Sequence, residues 1–299
     1  MKLATTTGDF FSYTCNQAES LRHIRKSGFK YADYNFGCDY KTRSGVYSNN
    51  FQSFTDEILK VCDDIGIKLV QAHAPMGKPL EDGGILLADT LVAIDACGAF
   101  EIPNLVVHSG YSMGFSKEET FLRNREFFLP LLERAEKYGV NILVENFNKN
   151  HVPDGPYWID NATDLLTMIE TVNHPLFHAV WDAGHANMQP MPQNEELAIL
   201  GSHVRALHIQ DNMGDKDSHL VPFLGTMNLD DVMCGLFDIG YAGYFTFEVG
   251  DFFTPSFKRR VFEKSKLLAD SSIVMRDSFE RYLYELGKYV LESYNCFEE

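Results

Sequence analysis

The sequence predicts one α/β domain over residues 1–299: a single (β/α)8 TIM barrel with extra C-terminal helices over about 256–299. Three observations carry the prediction. Four stretches share one pattern, SGFKYADYNFG, IGIKLVQAHAP, YGVNILVENFN and IGYAGYFTFEVG, in which a helical segment ends at glycine and an apolar strand follows. Glycine closes a helix in the left-handed conformation, so each reads as helix, C-terminal cap, strand. The glycines at 28, 66, 139 and 240 lie one, two or three multiples of roughly 35 residues apart, the size of a βα unit. Finally, no G-x-G-x-x-G follows the first strand, which counts against the competing open, doubly wound sheet.

The elements follow in order. LATTTG is the first strand and the stretch after Gly28 the second. Residues 53–65 place Ile58, Leu59, Cys62 and Ile65 at helical spacing. The third strand ends in VQAHAP and the fourth is IPNLVVHSG from 102. Ser116 with Glu119 forms a capping box before a helix to about Tyr138, with a kink or break expected at Pro130. Strand five runs into VENFN, strand six is PLFHAVWDAG from 175, strand seven HVRALHIQDN from 203, and strand eight ends in FTFEVG. Near-continuous apolar strands are those of a parallel sheet covered on both faces. The tail from about 256 to 295 reads as two amphipathic helices that cover one barrel end or pair with another subunit.

Composition limits the function. A hydrophobic fraction of 45 % with 13 % aromatic residues describes a folded protein. The net charge of −16 works against loose binding to nucleic acid or anionic lipid, both of which need clustered Lys and Arg. The six cysteines, Cys15, Cys38, Cys62, Cys97, Cys234 and Cys296, form no C-x-x-C pair, so reduced structural thiols are expected. The N-terminal residues carry no long apolar core and no stretch approaches 18 apolar residues, so a cytoplasmic protein is expected.

In such a barrel the active-site groups lie at the C-terminal strand ends. Strand three ends at His73, strand four at His108, strand five at Glu145, strand six at Asp182 with His185, strand seven at His208 and strand eight at Glu248; the loop after strand seven adds Asp217 and His219. Stepping back two residues, onto the same strand face, gives Val106, Leu143, Val180, Ala206 and Thr246, which suit the barrel interior. The polar set is thus expected to point at the barrel axis, where bare carboxylates are costly and a bound cation resolves the conflict. Each residue also has a plain structural reading. Asp182 alone caps a turn, Glu145 alone fits a buried ion pair, and His23, His151, His174, His178 and His203 read as structural. Five histidines and four acids gathered at one barrel end favour a metal site.

These residues resemble the xylose-isomerase-like barrels, which include sugar and sugar-phosphate isomerases and epimerases, inosose dehydratases and tri-zinc apurinic/apyrimidinic endonucleases. The resemblance rests on VENFN, WDAGHAN, LHIQDN, HLVPFLGTMNLDDV and FTFEVG, in the family's order and approximate spacing. It implies one divalent metal held by Glu145, Asp182, His208 and Glu248, as in the ketose 3-epimerases, with Mn, Co, Mg or Zn suiting the donor set. It also implies further zinc ligands, as in the endonucleases, at His73, His108, His185, Asp217 and His219. Pro222-Phe223-Leu224-Gly225 departs from the family's P-G-x-G.

The expected activity is a divalent-metal-dependent sugar isomerase or epimerase working through an enediolate, with Glu145 and Glu248 as acid/base groups and His185 at the oxyanion. Asp211 and Trp181 are read as substrate-binding, with core packing the stronger role for Trp181; Trp158 is the other candidate for an apolar wall. The alternatives are a multinuclear zinc phosphoesterase or a cyclitol or sugar dehydratase. The expected partner is a sugar or cyclitol, with a homo-oligomer implied by resemblance. Nucleic acid is disfavoured because HAPMGKPLEDGG and VENFNKNHVPDGPYW offer only Lys78 and Lys149 against several acids. A barrel that binds without turnover is expected to lack a core ligand, and none is missing.

Overall fold

A computed structural model describes residues 1–82, 84–148, 157–250 and 272–299. The eight expected strands are all present: Lys2–Thr6 (β1), Tyr31–Asn35 (β2), Lys68–His73 (β3), Asn104–Val107 (β4), Asn141–Glu145 (β5), Phe177–Asp182 (β6), Val204–His208 (β7) and Tyr244–Phe247 (β8). They form one parallel sheet in the order β7-β6-β5-β4-β3-β2-β1-β8. Just past β7 the ring is joined by a parallel bridge between Ile209 and Phe247, with Ile209 N–H donating to Thr246 O at 2.8 Å and Glu248 N–H to Ile209 O at 3.1 Å. The fold is therefore the expected α/β TIM barrel.

Eleven α-helices are present among the described residues. Gly8–Thr14 (α1), Gln17–Lys26 (α2), Phe36–Thr42 (α3) and Phe51–Ile65 (α4) serve the first half, with Ile85–Phe100 (α5) and Lys117–Glu136 (α6) after β3 and β4. Ala162–Val172 (α7), Ala183–Asn187 (α8), Gln193–Leu200 (α9), Leu229–Asp238 (α10) and Ile273–Ser293 (α11) complete the set. The glycine caps hold, with Gly66 at φ 65° closing α4. Ser116 accepts from Glu119 N–H at 3.1 Å, as the capping box requires.

Two expectations are corrected. Helix α6 is continuous through Pro130, so of the kink or break expected there the break does not occur. An interior proline costs about 3 kcal/mol, but Phe127, Phe128, Leu131 and Leu132 bury one face on both sides of it, and that packing carries the helix across. Helix α11 does not cover a barrel end. It lies along the flank against β1, α1 and α2, where an eighth barrel helix belongs. Gly287 allows the contact, since a Cβ there would come within 2.6 Å of Leu3 and 2.7 Å of Phe247. The other tail helix and His151 lie outside the described residues.

Side chains sort by strand face. The outer core is continuous from Met1 to Leu291, while Val106, Leu143, Val180 and Ala206 form a separate buried cluster, the apolar layer expected inside the barrel. Thr246 instead bonds Gln71 across the lumen, Oγ1 to Oε1 at 3.2 Å. Four of the histidines read as structural bear this out: His23 pairs with Asp277 at 2.6 Å, His174 with Glu136 at 3.1 Å, His178 bonds Pro175 O, and His203 lies in the short turn before β7. None of the six cysteines is disulfide-bonded. Among the described residues no helix is long and apolar enough to cross a membrane.

The N-terminus of α7 depends on a buried acid. Asn161 accepts from Asp164 N–H at 3.0 Å and Glu196, from α9, accepts from Ala162 N–H at 3.0 Å. Burial pushes the Glu196 carboxyl up from 4.5 to about 7. A raised carboxyl stabilises the fold fully only below its unfolded pKa, and that contribution is lost as pH rises through the folded value. Glu196→Gln, which keeps the acceptor, is expected to raise stability at pH 8 by about 1–2 kcal/mol and to leave it nearly unchanged at pH 4, as urea melts at the two pH values would show.

Candidate metal centre

The strand ends converge as expected, and three groups of donors lie within 4.8 Å of one another: Glu145, Asp182, His208 and Glu248; His73, His108 and Glu145; and His185, Asp217 and His219. In the first group His208 Nδ1 lies 3.2 Å from Glu145 Oε1 and 3.3 Å from Glu248 Oε2. In the second, His73 Nε2 and His108 Nε2 are 3.1 Å apart, and His108 Nε2 is 2.9 Å from Glu145 Oε2. In the third, Asp217 bridges His185 Nε2 and His219 Nε2, each at 3.2 Å.

Backbone carbonyls orient three of the rings. His73 Nδ1 bonds Ala74 O at 2.9 Å, His185 Nδ1 bonds Asn146 O at 2.9 Å and His219 Nδ1 bonds Glu248 O at 2.8 Å. With Nδ1–H so used, Nε2 is the nitrogen that faces the acids, and it is the one that would ligate a cation once its proton is lost.

Asp182 does both things its sequence context allows. Its Oδ1 accepts from His185 N–H at 2.6 Å and so caps α8. Its Oδ2 is buried with no hydrogen-bond partner among the described residues. Burial pushes the Asp182 carboxyl up to about 7. The nearest cation to Oδ2 is His185 Nδ1 at 3.6 Å, too long for a hydrogen bond, and the O3N donor set of Glu145, Asp182, His208 and Glu248 fits a divalent ion.

Electrostatics agree. Burial raises the Glu145 carboxyl, but His208 and His108 outweigh it and hold the group well below the usual range. Burial lowers His185 and His208, yet Asp182 and Asp217 around the first and Glu248 and Glu145 around the second hold both well above an ordinary imidazole. Burial opposes the charge on His219 too, but Asp217 raises it to about 10. Asp217 itself is lowered, its burial outweighed by His185 and His219. His73 is raised against its burial by Glu145, whereas burial wins at His108 and lowers it.

Residues that sequence reading passed over complete the scaffold. Asn146 clamps β5 to β6, accepting from Asp182 N–H at 2.8 Å and donating to Asp182 O at 2.9 Å. Gln210 donates to Asp182 Oδ1 at 3.2 Å and Asp217 Oδ1 at 2.9 Å, and Asn148 donates to Asp217 Oδ2 at 3.1 Å. Their signal was present: Gln210 follows His208 by two, and Asn146 and Asn148 flank Phe147 in VENFN. Asp33 of β2 reaches within 3.8 Å of His208 Nε2.

The two residues read as substrate-binding have other places. Trp181 is fully buried, its indole donating to Gln193 Oε1 at 3.0 Å in the outer core. Trp158 is half-buried beneath Lys117, whose Nζ lies 5.5 Å from the ring. Asp211 spends both oxygens on its own loop: Oδ1 accepts from Asn212 N–H at 2.7 Å and Met227 N–H at 3.0 Å, and Oδ2 from Phe223 N–H at 3.1 Å and Gly225 N–H at 2.9 Å. Phe223 sits at φ 76°, a conformation glycine favours, so the loop keeps that shape at a cost of about 1–2 kcal/mol. The loop so held carries Asp217 and His219.

A model of the xylose isomerase-like TIM barrel family matches residues 21–261. The chain belongs to this family. It is 33 % identical over 130 residues to the fructoselysine 3-epimerase of Escherichia coli O157:H7, covering 42 % of this chain and 45 % of that protein. It is 30 % identical over 158 residues to an uncharacterised protein of Methanocaldococcus jannaschii, covering 50 % and 53 %. The chain thus spans about half the length of the curated relatives it matches. Among solved structures, a D-tagatose 3-epimerase-like protein superposes with a TM-score of 0.75 at 21 % identity over 99 % of this chain and 98 % of that one. A family 2 AP endonuclease from Brucella melitensis superposes at 0.66 and 18 % identity over 84 % and 92 %. These likenesses show the fold.

Two outcomes follow. Because His185, His208 and His219 hold protons at neutral pH, a metal must displace them. Binding of Zn²⁺ or Mn²⁺ is expected to release protons in weakly buffered solution and to tighten from pH 6 to pH 8; a pH-independent affinity would remove these imidazoles from the ligand set. Asp211→Asn is expected to free the loop from 212 to 228, lowering protection of its amides in hydrogen exchange by about 2 kcal/mol.

Proposed function

We propose that the chain is a divalent-metal-dependent isomerase or epimerase of a ketose or sugar phosphate. The observation that carries this reading is the convergence of Glu145, Asp182, His208 and Glu248 above a packed barrel interior, with an unpartnered Asp182 oxygen among them. Membership of a family that includes sugar isomerases, and the likeness to a fructoselysine 3-epimerase, support it.

Glu145, Asp182, His208 and Glu248 would hold the cation. The chemistry such an ion would supply is polarisation of a ketose carbonyl, which would acidify the adjacent C–H. Glu145 at the end of β5 and Glu248 just past β8 both approach His208 Nδ1, at 3.2 and 3.3 Å, and are assigned as the two acid/base groups. One takes the proton from carbon, leaving an enediolate, and the other returns a proton to the opposite face of that carbon, which inverts it. His185, held cationic, donates to the oxygen on which charge develops. A cavity of about 220 Å³ beside Glu248, lined by Thr6, Asp9, Asn35, Lys41 and Met76, gives room for the rest of the sugar. Among the described residues no cluster of basic side chains lines it, which supports a neutral ketose or a cyclitol over a phosphorylated sugar. Dehydration of a cyclitol ketone would use the same proton abstraction.

A specific observation favours the second reading, a multinuclear zinc phosphoesterase of the endonuclease type. Of the two further donor groups, the one around His73 and His108 shares Glu145 with the central cluster, and the one around Asp217 and His219 includes His185, whose Nδ1 lies 3.4 Å from Glu145 Oε1.

Metal content separates the readings. About one Mn, Co or Mg per chain after purification, with solvent deuterium entering beside the carbonyl of a ketose, is the result expected. Two or three tightly held zincs with cleavage of a phosphoester would replace it with the second reading. Glu145→Gln and Glu248→Gln are each expected to lower turnover about 10²–10⁴-fold with the fold intact by circular dichroism; a fully active variant would sink the mechanism.

A further inference from the structure

The acids around His208 are not all on one side of its ring. Nδ1 faces Glu145 and Glu248, while Nε2 points down the barrel toward Asp33 Oδ2 at 3.8 Å, an ion-pair distance. Asp33 is 1 % exposed, and neither of its oxygens has a hydrogen-bond partner among the described residues. Such an acid costs several kcal/mol unless something repays it.

Two features of the barrel aim it. The register between β2 and β3 shifts between Ala32 and Asp33, an irregularity of the kind that re-aims a side chain beside a site. The lumen is also divided: apolar under β4 to β7, where Val106, Leu143, Val180 and Ala206 cluster, and polar on β3 and β8, where Gln71 meets Thr246. Asp33 stands in the polar part, level with Gln71 in the sheet. His208 also lacks what orients the other rings. His73, His185 and His219 give Nδ1–H to a backbone carbonyl, whereas the acid nearest the outer nitrogen of His208 is Asp33.

We propose that Asp33 is a positioning residue for the metal centre: accepting from His208 Nε2–H, it holds the ring so that Nδ1 faces Glu145 and Glu248 and would offer its lone pair there once its proton gives way to a cation. His208 is then the inverse of its three neighbours, with a carboxyl group in place of a carbonyl and Nδ1 in place of Nε2. A carboxylate behind a ligating histidine raises its basicity, and loss of such a partner typically weakens metal binding 10- to 100-fold. The claim about affinity rests on the proposed cation site; the claim about the ring does not.

The test uses the full chain labelled with ¹⁵N, metal-free and loaded with Zn²⁺, and follows the His208 ring by proton–nitrogen correlation, assigned with His208→Gln. In the wild type the Nε2–H signal is expected to be shifted downfield and slow to exchange with water. In Asp33→Asn it should be lost or moved, and Zn²⁺ affinity measured by chelator competition should fall about 10- to 100-fold. Asp33→Ser serves if the asparagine variant does not fold. A His208 signal unchanged by both substitutions overturns the proposal whatever the affinity. A lost signal with wild-type affinity overturns the positioning role. If the wild type binds no divalent ion, the proposed function has failed, and the ring signal alone then decides the pairing with Asp33.

Discussion

Everything at the mouth of this barrel follows from the cost of burying negative charge. Glu145, Asp182 and Asp33 are each no more than 2 % exposed, and Glu248 stands close by. Carboxyl groups taken out of water in this number must be repaid by protons, hydrogen bonds or a cation. Without an ion the repayment comes from imidazolium: His185, His208 and His219 hold protons that the acids keep in place. Asp182 Oδ2 and both oxygens of Asp33 are left without a hydrogen-bond partner among the described residues.

The second layer of polar groups exists to keep those charges in register. Asn146 locks the ends of β5 and β6 together through both atoms of its amide, so Glu145 and Asp182 move as one unit. Gln210 ties Asp182 to Asp217, joining the rigid strand ends to the loop. Gly184 allows that contact, since a Cβ there would come within 2.0 Å of the Gln210 side chain. The loop itself is organised by the four backbone amides gathered on Asp211, which explains how a segment without regular structure delivers Asp217 and His219 accurately.

On the flank, α11 carries a fully buried cation to the same end of the barrel. Arg276 pairs with Glu280 one turn along and with Asp9 at 3.3 Å, and its guanidinium lies 5.0 Å from the ring of Phe10. Burial raises the Asp9 carboxyl to about 7 even though Arg276 opposes it. This ties α11 to α1, the helix that follows the first strand. The same helix returns its far end to Met1, whose carbonyl accepts from Glu298 N–H at 2.8 Å.

What was legible in the sequence is what chain-local physics controls. Glycine caps, apolar strand runs and the period of two located eight strands, and the residue at each strand end fell on the site because parallel barrels put C-terminal ends at one mouth. The nine candidate donors are of this kind. Tertiary structure alone decided the rest, because each case turns on a neighbour distant in the chain. Pro130 is carried by packing on both sides of it. Asp211 is a loop hub because the chain folds back so that the amides of Phe223, Gly225 and Met227 reach it. Helix α11 finds the flank, not a barrel end, because Leu3 and Phe247 leave room only for Gly287. Asp33, one acid in YADYN, gained its place from a register shift in β2 and a histidine 175 positions later. Periodicity reports which face a residue is on; it carries no information about which residue of another strand stands opposite.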